Sequence, residues 1–177
     1  MKSALSQPLL SQLSKLVENE MGLYYPTKSW GDLQRRVSAA APALGMSDTE
    51  SCVRRLLSAP LTRQQVEILA RHLTVGETYF FREKGCFDVL EERIFPKLIG
   101  ACARSDRPLR IWSAGCCTGE EPYSIAILLD RLNQYNANVD ATILATDVNP
   151  VFLEKASRGY TANGHFAVPP RDQGAIF

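Results

Sequence analysis

Apolar residues recur every three to four positions through the first part of the chain and later gather into two short runs, and this change of period divides the sequence. Leu9, Leu13, Leu16 and Val17 share one face of a helix that Gly22 should end. Trp30, Leu33, Val37 and Ala40 mark a second helix. Ser47-Asp-Thr-Glu50 and Thr62-Arg-Gln-Gln65 are capping-box patterns, followed respectively by Val53, Leu56 and Leu57 and by Val66, Leu69 and Leu73. This stretch carries no strand signal, so residues 1–74 predict an all-α helical bundle.

Beyond Thr74 the loop Thr74-Val-Gly-Glu-Thr78 leads into a helix containing Phe87, Leu90, Ile94 and Leu98. Pro96 should disturb that helix, because proline lacks the N–H the ladder needs. Phe80 and Phe81 read as packing residues. Residues 75–108 thus form a linker loop and helix, closed by the polar connection Arg104-Ser-Asp-Arg-Pro108. Leu109-Arg-Ile-Trp-Ser-Ala114 then predicts a strand that runs into the turn Gly115-x-x-x-Gly119. A helix follows from Glu120 or Pro122 to about Leu132, and Ala141-Thr-Ile-Leu-Ala-Thr-Asp147 predicts a second strand. Strand, helix and strand make one right-handed crossover unit. The fold class is therefore α/β, a helical bundle followed by a Rossmann-like region over residues 109–177.

The glycine turn indicates what chemistry that region could host. Ligands of open α/β sheets sit at the carboxyl ends of the strands, where Gly115 and Gly119 leave room for close approach. Neither G-x-G-x-x-G nor G-x-x-x-x-G-K-[ST] is present, so a dinucleotide oxidoreductase is nearly excluded. Glu120 and Glu121 would repel a polyphosphate and favour a ligand bearing positive charge, for which S-adenosylmethionine is the natural candidate. Asp147, at the end of the second strand, is placed to accept hydrogen bonds from ribose hydroxyls.

Charge and cysteine usage narrow the remaining classes. A formal net charge of +1 exerts no global pull towards nucleic acid, and no aromatic residues interleave with the arginines. No run is long enough for membrane insertion, and the chain reads as cytoplasmic. Cys52, Cys86, Cys102, Cys116 and Cys117 form no C-x-x-C pair and are expected as reduced thiols. With His72 and His165 the only histidines, no zinc ligand set is recognisable, and no metal is expected.

Three segments, in order and at the right spacing, resemble the chemotaxis receptor methyltransferases of the CheR type. They are Leu73-Thr-Val-Gly-Glu-Thr-Tyr-Phe-Phe-Arg-Glu83, Trp112-Ser-Ala-Gly-Cys-Cys-Thr-Gly-Glu-Glu-Pro-Tyr-Ser124, and Ala145-Thr-Asp-Val-Asn149 with Leu153-Glu-Lys-Ala156 and Gly159-Tyr160. The resemblance implies an enzyme that methylates receptor glutamates with S-adenosylmethionine, releasing S-adenosylhomocysteine. It implies further that Thr78 and Arg82 lie over the cofactor, Arg82 as the catalytic residue, with Gly76 lining the same loop. Glu120 would hold the methionine amino group, and Asp147 the ribose. On chemistry alone, Arg82 reads as a partner of Glu77 or Glu83. Gly76 stands where many members have asparagine, and Cys117 replaces the serine usual in the turn.

The bundle's arginines read as a solvated face. By the same resemblance the bundle helps bind the acidic, helical coiled-coil region of a receptor, with Arg35 and Arg36 as contributors. In the family further strands follow the two seen here, so the region from Leu109 is expected to be an incomplete domain exposing apolar surface. The alternative function is a noncatalytic receptor-binding module, or an inactive fragment of such a methyltransferase.

Overall fold

The computed structural model describes residues 4–136, 140–161 and 164–165. They fall into two compact units, one of Met1–Val75 with Val148–Pro150, the other of Gly76–Asp147 with the chain from Val151.

The first unit is built on four helices, α1 (Gln7–Met21), α2 (Trp30–Ala40), α3 (Thr49–Leu57) and α4 (Arg63–Leu73). Their apolar stripes meet in one core, where Leu13, Val17, Leu33, Val37, Val53 and Leu69 are wholly buried. Each such side chain stabilises the fold by roughly 1.5–3 kcal/mol. Gly22 ends α1 in the left-handed conformation (φ 68°), its N–H returning to Glu18 O. Thr62 caps α4 with the reciprocal bonds expected of it. At α3 the expectation needs correcting, for Asp48 and not Ser47 is the cap, accepting the Ser51 N–H at 2.7 Å. The ionised aspartate accepts a charge-assisted hydrogen bond, stronger than one to a serine hydroxyl. Within the same unit Asn149 is buried and donates to Thr74 Oγ1 (2.9 Å) and Ala70 O (3.3 Å).

The second unit opens with a loop, then α5 (Lys84–Val89), a π-helical turn (Leu90–Ile94) and α6 (Phe95–Ser105). Pro96 sits in the first turn of α6 and has no N–H to give, and the Phe95 N–H reaches back five residues to Leu90 O. Strands β1 (Leu109–Ala114) and β2 (Ala141–Thr146) pair in parallel, Leu109 opposite Ala141 through Ala114 opposite Thr146. The connecting α7 (Glu120–Asn136) runs a turn past the expected Leu132. One sheet face, with Leu109, Ile111 and Ile143, packs against Phe87, Phe95, Ile125, Leu128 and Leu129. The other presents the cross-strand neighbours Trp112 and Leu144, which are 68% and 47% exposed. That is the apolar surface the sequence leads one to expect. After β2 come α8 (Pro150–Ser157) and a small antiparallel bridge of Tyr160–Thr161 with Gly164–His165.

Candidate cofactor site

The turn after β1 is held from beneath by β2. Gly115 (φ 76°) and Cys116 both donate their N–H to Thr146 O, at 2.7 and 2.9 Å, and the Cys117 N–H goes to Asp147 Oδ2 at 2.9 Å. Cys117 is thereby kept at φ 49°, a left-handed conformation a cysteine seldom adopts. Gly119, at φ 105°, serves packing, since a Cβ there would lie 3.1 Å from both Ala156 Cβ and Tyr123 Cε2. Gly115 instead has open space where a Cβ would be, and it faces a pocket.

That pocket, of about 80 Å³, lies at the carboxyl end of β1. Gly115, Cys116 and Cys117 form one wall, Glu77, Thr78, Tyr79 and Arg82 another, with Phe87 and Glu121 completing it. Of the residues singled out from the sequence, the structure brings Thr78, Arg82 and Gly115 together here. Gly76 lies outside the lining, against Phe152 and Cys117, and Asp147 stands behind Cys117. Glu120 is buried, its carboxylate accepting the Thr118 hydroxyl at 2.7 Å, while its neighbour Glu121 faces the pocket and is steadied by Ser113 Oγ. Both carboxylates sit in the first turn of α7, where the helix dipole favours negative charge.

The loop that carries Thr78 and Arg82 has two fastenings. The Arg82 guanidinium donates to Glu77 O and lies 3.6 Å from the Glu77 carboxylate, the pairing its chemistry alone suggests. Farther along, the Phe81 N–H donates to Ser124 Oγ at 2.9 Å, and Ser124 donates in turn to Glu120 O at 2.6 Å. Phe81 joins the core as expected, its ring edge-on to Phe87 with centroids 5.3 Å apart. Glu121 is one of the two carboxylates that the sequence reading sets against a positively charged ligand, whereas Ser124 has no role in that reading. The signal is the helical spacing, since Ser124 lies four residues on from Glu120 and so on the same face of α7.

All five cysteines are free thiols. Burial, with a lesser push from the Asp147 carboxylate, raises the Cys116 thiol to about 11, and burial also raises Cys117. A raised pKa keeps these thiols protonated through neutral pH, and the thiolate is the reactive form. Alkylation of the folded chain at pH 8 should therefore modify exposed Cys86 first and Cys116 last. Equal rates at the two, followed by peptide mass spectrometry, would show the turn to be open.

In the first unit, Arg35 and Arg36 both pair with Asp32, and Arg36 also donates to His72 O at 3.2 Å. Arg36 is thus tied into the bundle, whereas the Arg35 side chain is 79% exposed.

Residues 76–171 match the family described as CheR methyltransferase, SAM binding domain. The match begins where the second unit begins. The chemotaxis protein methyltransferase of Borreliella burgdorferi is 35% identical over 152 residues, covering 85% of this chain and 53% of that protein. A probable chemotaxis protein methyltransferase of Rhizobium etli is 34% identical over 145 residues, or 81% of this chain and 53% of its own. Chemotaxis protein methyltransferase 1 of Pseudomonas aeruginosa is 36% identical over 96 residues, 52% of this chain and 34% of the relative. The chain spans about half the length of the first two of these curated relatives.

Proposed function

This chain belongs to the CheR methyltransferase family, and from that premise we propose that its pocket holds S-adenosylmethionine for methyl transfer to glutamate side chains of chemotaxis-type receptors. The observation that carries the reading is the convergence of Thr78 and Arg82 from one loop with Gly115 from the turn after β1 and Glu121 from the first turn of α7. A guanidinium and a carboxylate facing one small pocket suit a zwitterion, and the methionine end of the cofactor is one. Arg82 would meet its carboxylate, and Glu121 or the adjacent Glu120 its ammonium. Asp147 would take the ribose while holding the Cys117 N–H.

The cofactor supplies an electrophilic methyl on a sulfonium, which a carboxylate oxygen can accept directly. A substrate glutamate, with an ordinary pKa of about 4.3, is already ionised at neutral pH, so no general base is asked of the protein. The protein's part is orientation and exclusion of water, effects that reach roughly 7–11 kcal/mol. On the helical unit, exposed Arg35 and the more tightly held Arg36 would meet an acidic coiled-coil segment of the receptor. Among the described residues no helix is long and apolar enough to cross a membrane; a cytoplasmic location is part of the proposal and rests on the family reading.

Calorimetric titration with S-adenosylhomocysteine tests the reading. One-site binding is expected, followed by transfer of labelled methyl to an acidic receptor peptide. Absence of binding by a folded sample would remove the cofactor assignment, and receptor binding without it would favour the noncatalytic module.

A further inference from the structure

Gly76 is not a glycine because of its backbone. It lies outside the positive-φ region that Gly22, Gly45, Gly115, Gly119 and Gly159 occupy, so an alanine there would suffer no conformational strain. What excludes a side chain is contact. A Cβ on residue 76 would stand 2.7 Å from Phe152 Cζ, 3.1 Å from Phe152 Cε1 and 2.8 Å from Cys117 Sγ. Relief would require two neighbours to move at once. The Phe152 ring is half-buried, and Cys117 is buried in a turn pinned by Asp147.

We propose that Phe152 is a positioning residue of the candidate cofactor site, its ring and the Cys117 thiol filling the space a side chain at residue 76 would take and so seating the loop of residues 76–82. The contact joins three separate parts of the second unit: the loop, the turn after β1, and α8. Downstream of Gly76 the loop is fastened to α7 at Phe81, whose N–H donates to Ser124 and whose ring lies under the Arg131 guanidinium, so that Thr78 lies between the two points and Arg82 directly follows the second. A loop pinned at both ends presents Thr78 and Arg82 to the pocket without ordering them anew on each binding event. The consequence for the cofactor rests on the function proposed above, whereas the seating itself does not.

The two can be tested separately. Amide exchange of the peptide spanning residues 76–82, read by mass spectrometry on the ligand-free chain, reports the seating. Gly76→Ala should speed exchange in that peptide about tenfold, the scale of an overpacked contact. Gly76→Ala combined with Phe152→Leu should return part of the protection, because the shorter side chain vacates the Phe152 side of the space while the Cys117 thiol stays in place. Restoration by a second substitution is the mark of direct contact, since independent sites would add their effects. Exchange unchanged in Gly76→Ala, or a double variant at least as fast as the single one, would overturn the proposal. Titration of the same variants with S-adenosylhomocysteine should follow the same order, with affinity lost in Gly76→Ala and partly regained in the double variant. A wild-type chain that shows the exchange pattern but binds no S-adenosylhomocysteine would defeat the functional reading and leave the seating established.

Discussion

Asp147→Ala should weaken S-adenosylhomocysteine binding about a hundredfold or more, the scale expected when a partly buried charge-assisted hydrogen bond is lost together with a ligand contact. Asp147 Oδ2 takes the Cys117 N–H at 2.9 Å, and Cys117 is held at φ 49°. Left-handed backbone costs a non-glycine residue roughly 1–2 kcal/mol, which the carboxylate bond offsets. Without it, the turn is free to relax and the wall made by Gly115, Cys116 and Cys117 loses its shape. Asp147→Asn keeps an acceptor for the N–H and should recover most of the thermal stability but only part of the affinity. Wild-type affinity in a folded Asp147→Ala protein would sink the assignment.

The helical part of this fold was readable because its signals are local. Gly22 must stop α1 wherever the rest of the chain goes, and the Thr62-Arg-Gln-Gln65 box closes on itself within one turn. Pro96 announced a disturbance, though only the Phe95 to Leu90 hydrogen bond shows that the ladder widens and does not break. The strand pair was readable because two short apolar runs with a helix between them have few other ways to bury themselves.

The site was legible as a neighbourhood and less so as a set of contacts. Glu120 and Glu121 cannot be told apart by type, and their fates diverge because Gly119 at φ 105° fixes the phase in which α7 begins. Glu120 turns inward to Thr118, and Glu121 outward to Ser113 and the pocket. The contact of Gly76 with Phe152 and Cys117 is invisible in the sequence for a different reason. Three distant positions meet only after the sheet has formed, and a glycine without positive φ carries no local mark of why it is there. Even Arg82, which pairs with Glu77 as its chemistry suggests, gains a second meaning only from the pocket beside it.

Ser124 makes the strongest case among the residues passed over. It is wholly buried on α7, accepts the Phe81 N–H at 2.9 Å and donates to Glu120 O at 2.6 Å. Phe81 has φ 54°, so the loop turns there through a conformation an aromatic residue avoids, and the hydroxyl is what receives the N–H the turn exposes. Ser124→Ala would leave that N–H facing a methyl group, at a cost of about 1–3 kcal/mol. Helix α7 keeps its own backbone ladder, so the loss should fall mainly on the loop carrying Thr78 and Arg82 and only slightly on global unfolding. Affinity for S-adenosylhomocysteine should drop about tenfold or more, the equivalent of that energy, while the melting temperature falls little. Ser124→Cys, similar in shape but a weaker hydrogen-bonding group, should lie between. If Ser124→Ala binds as tightly as wild type and exchange at Phe81 is unchanged, the loop is held in place by packing against Phe87 and Phe152, and the hydroxyl is incidental.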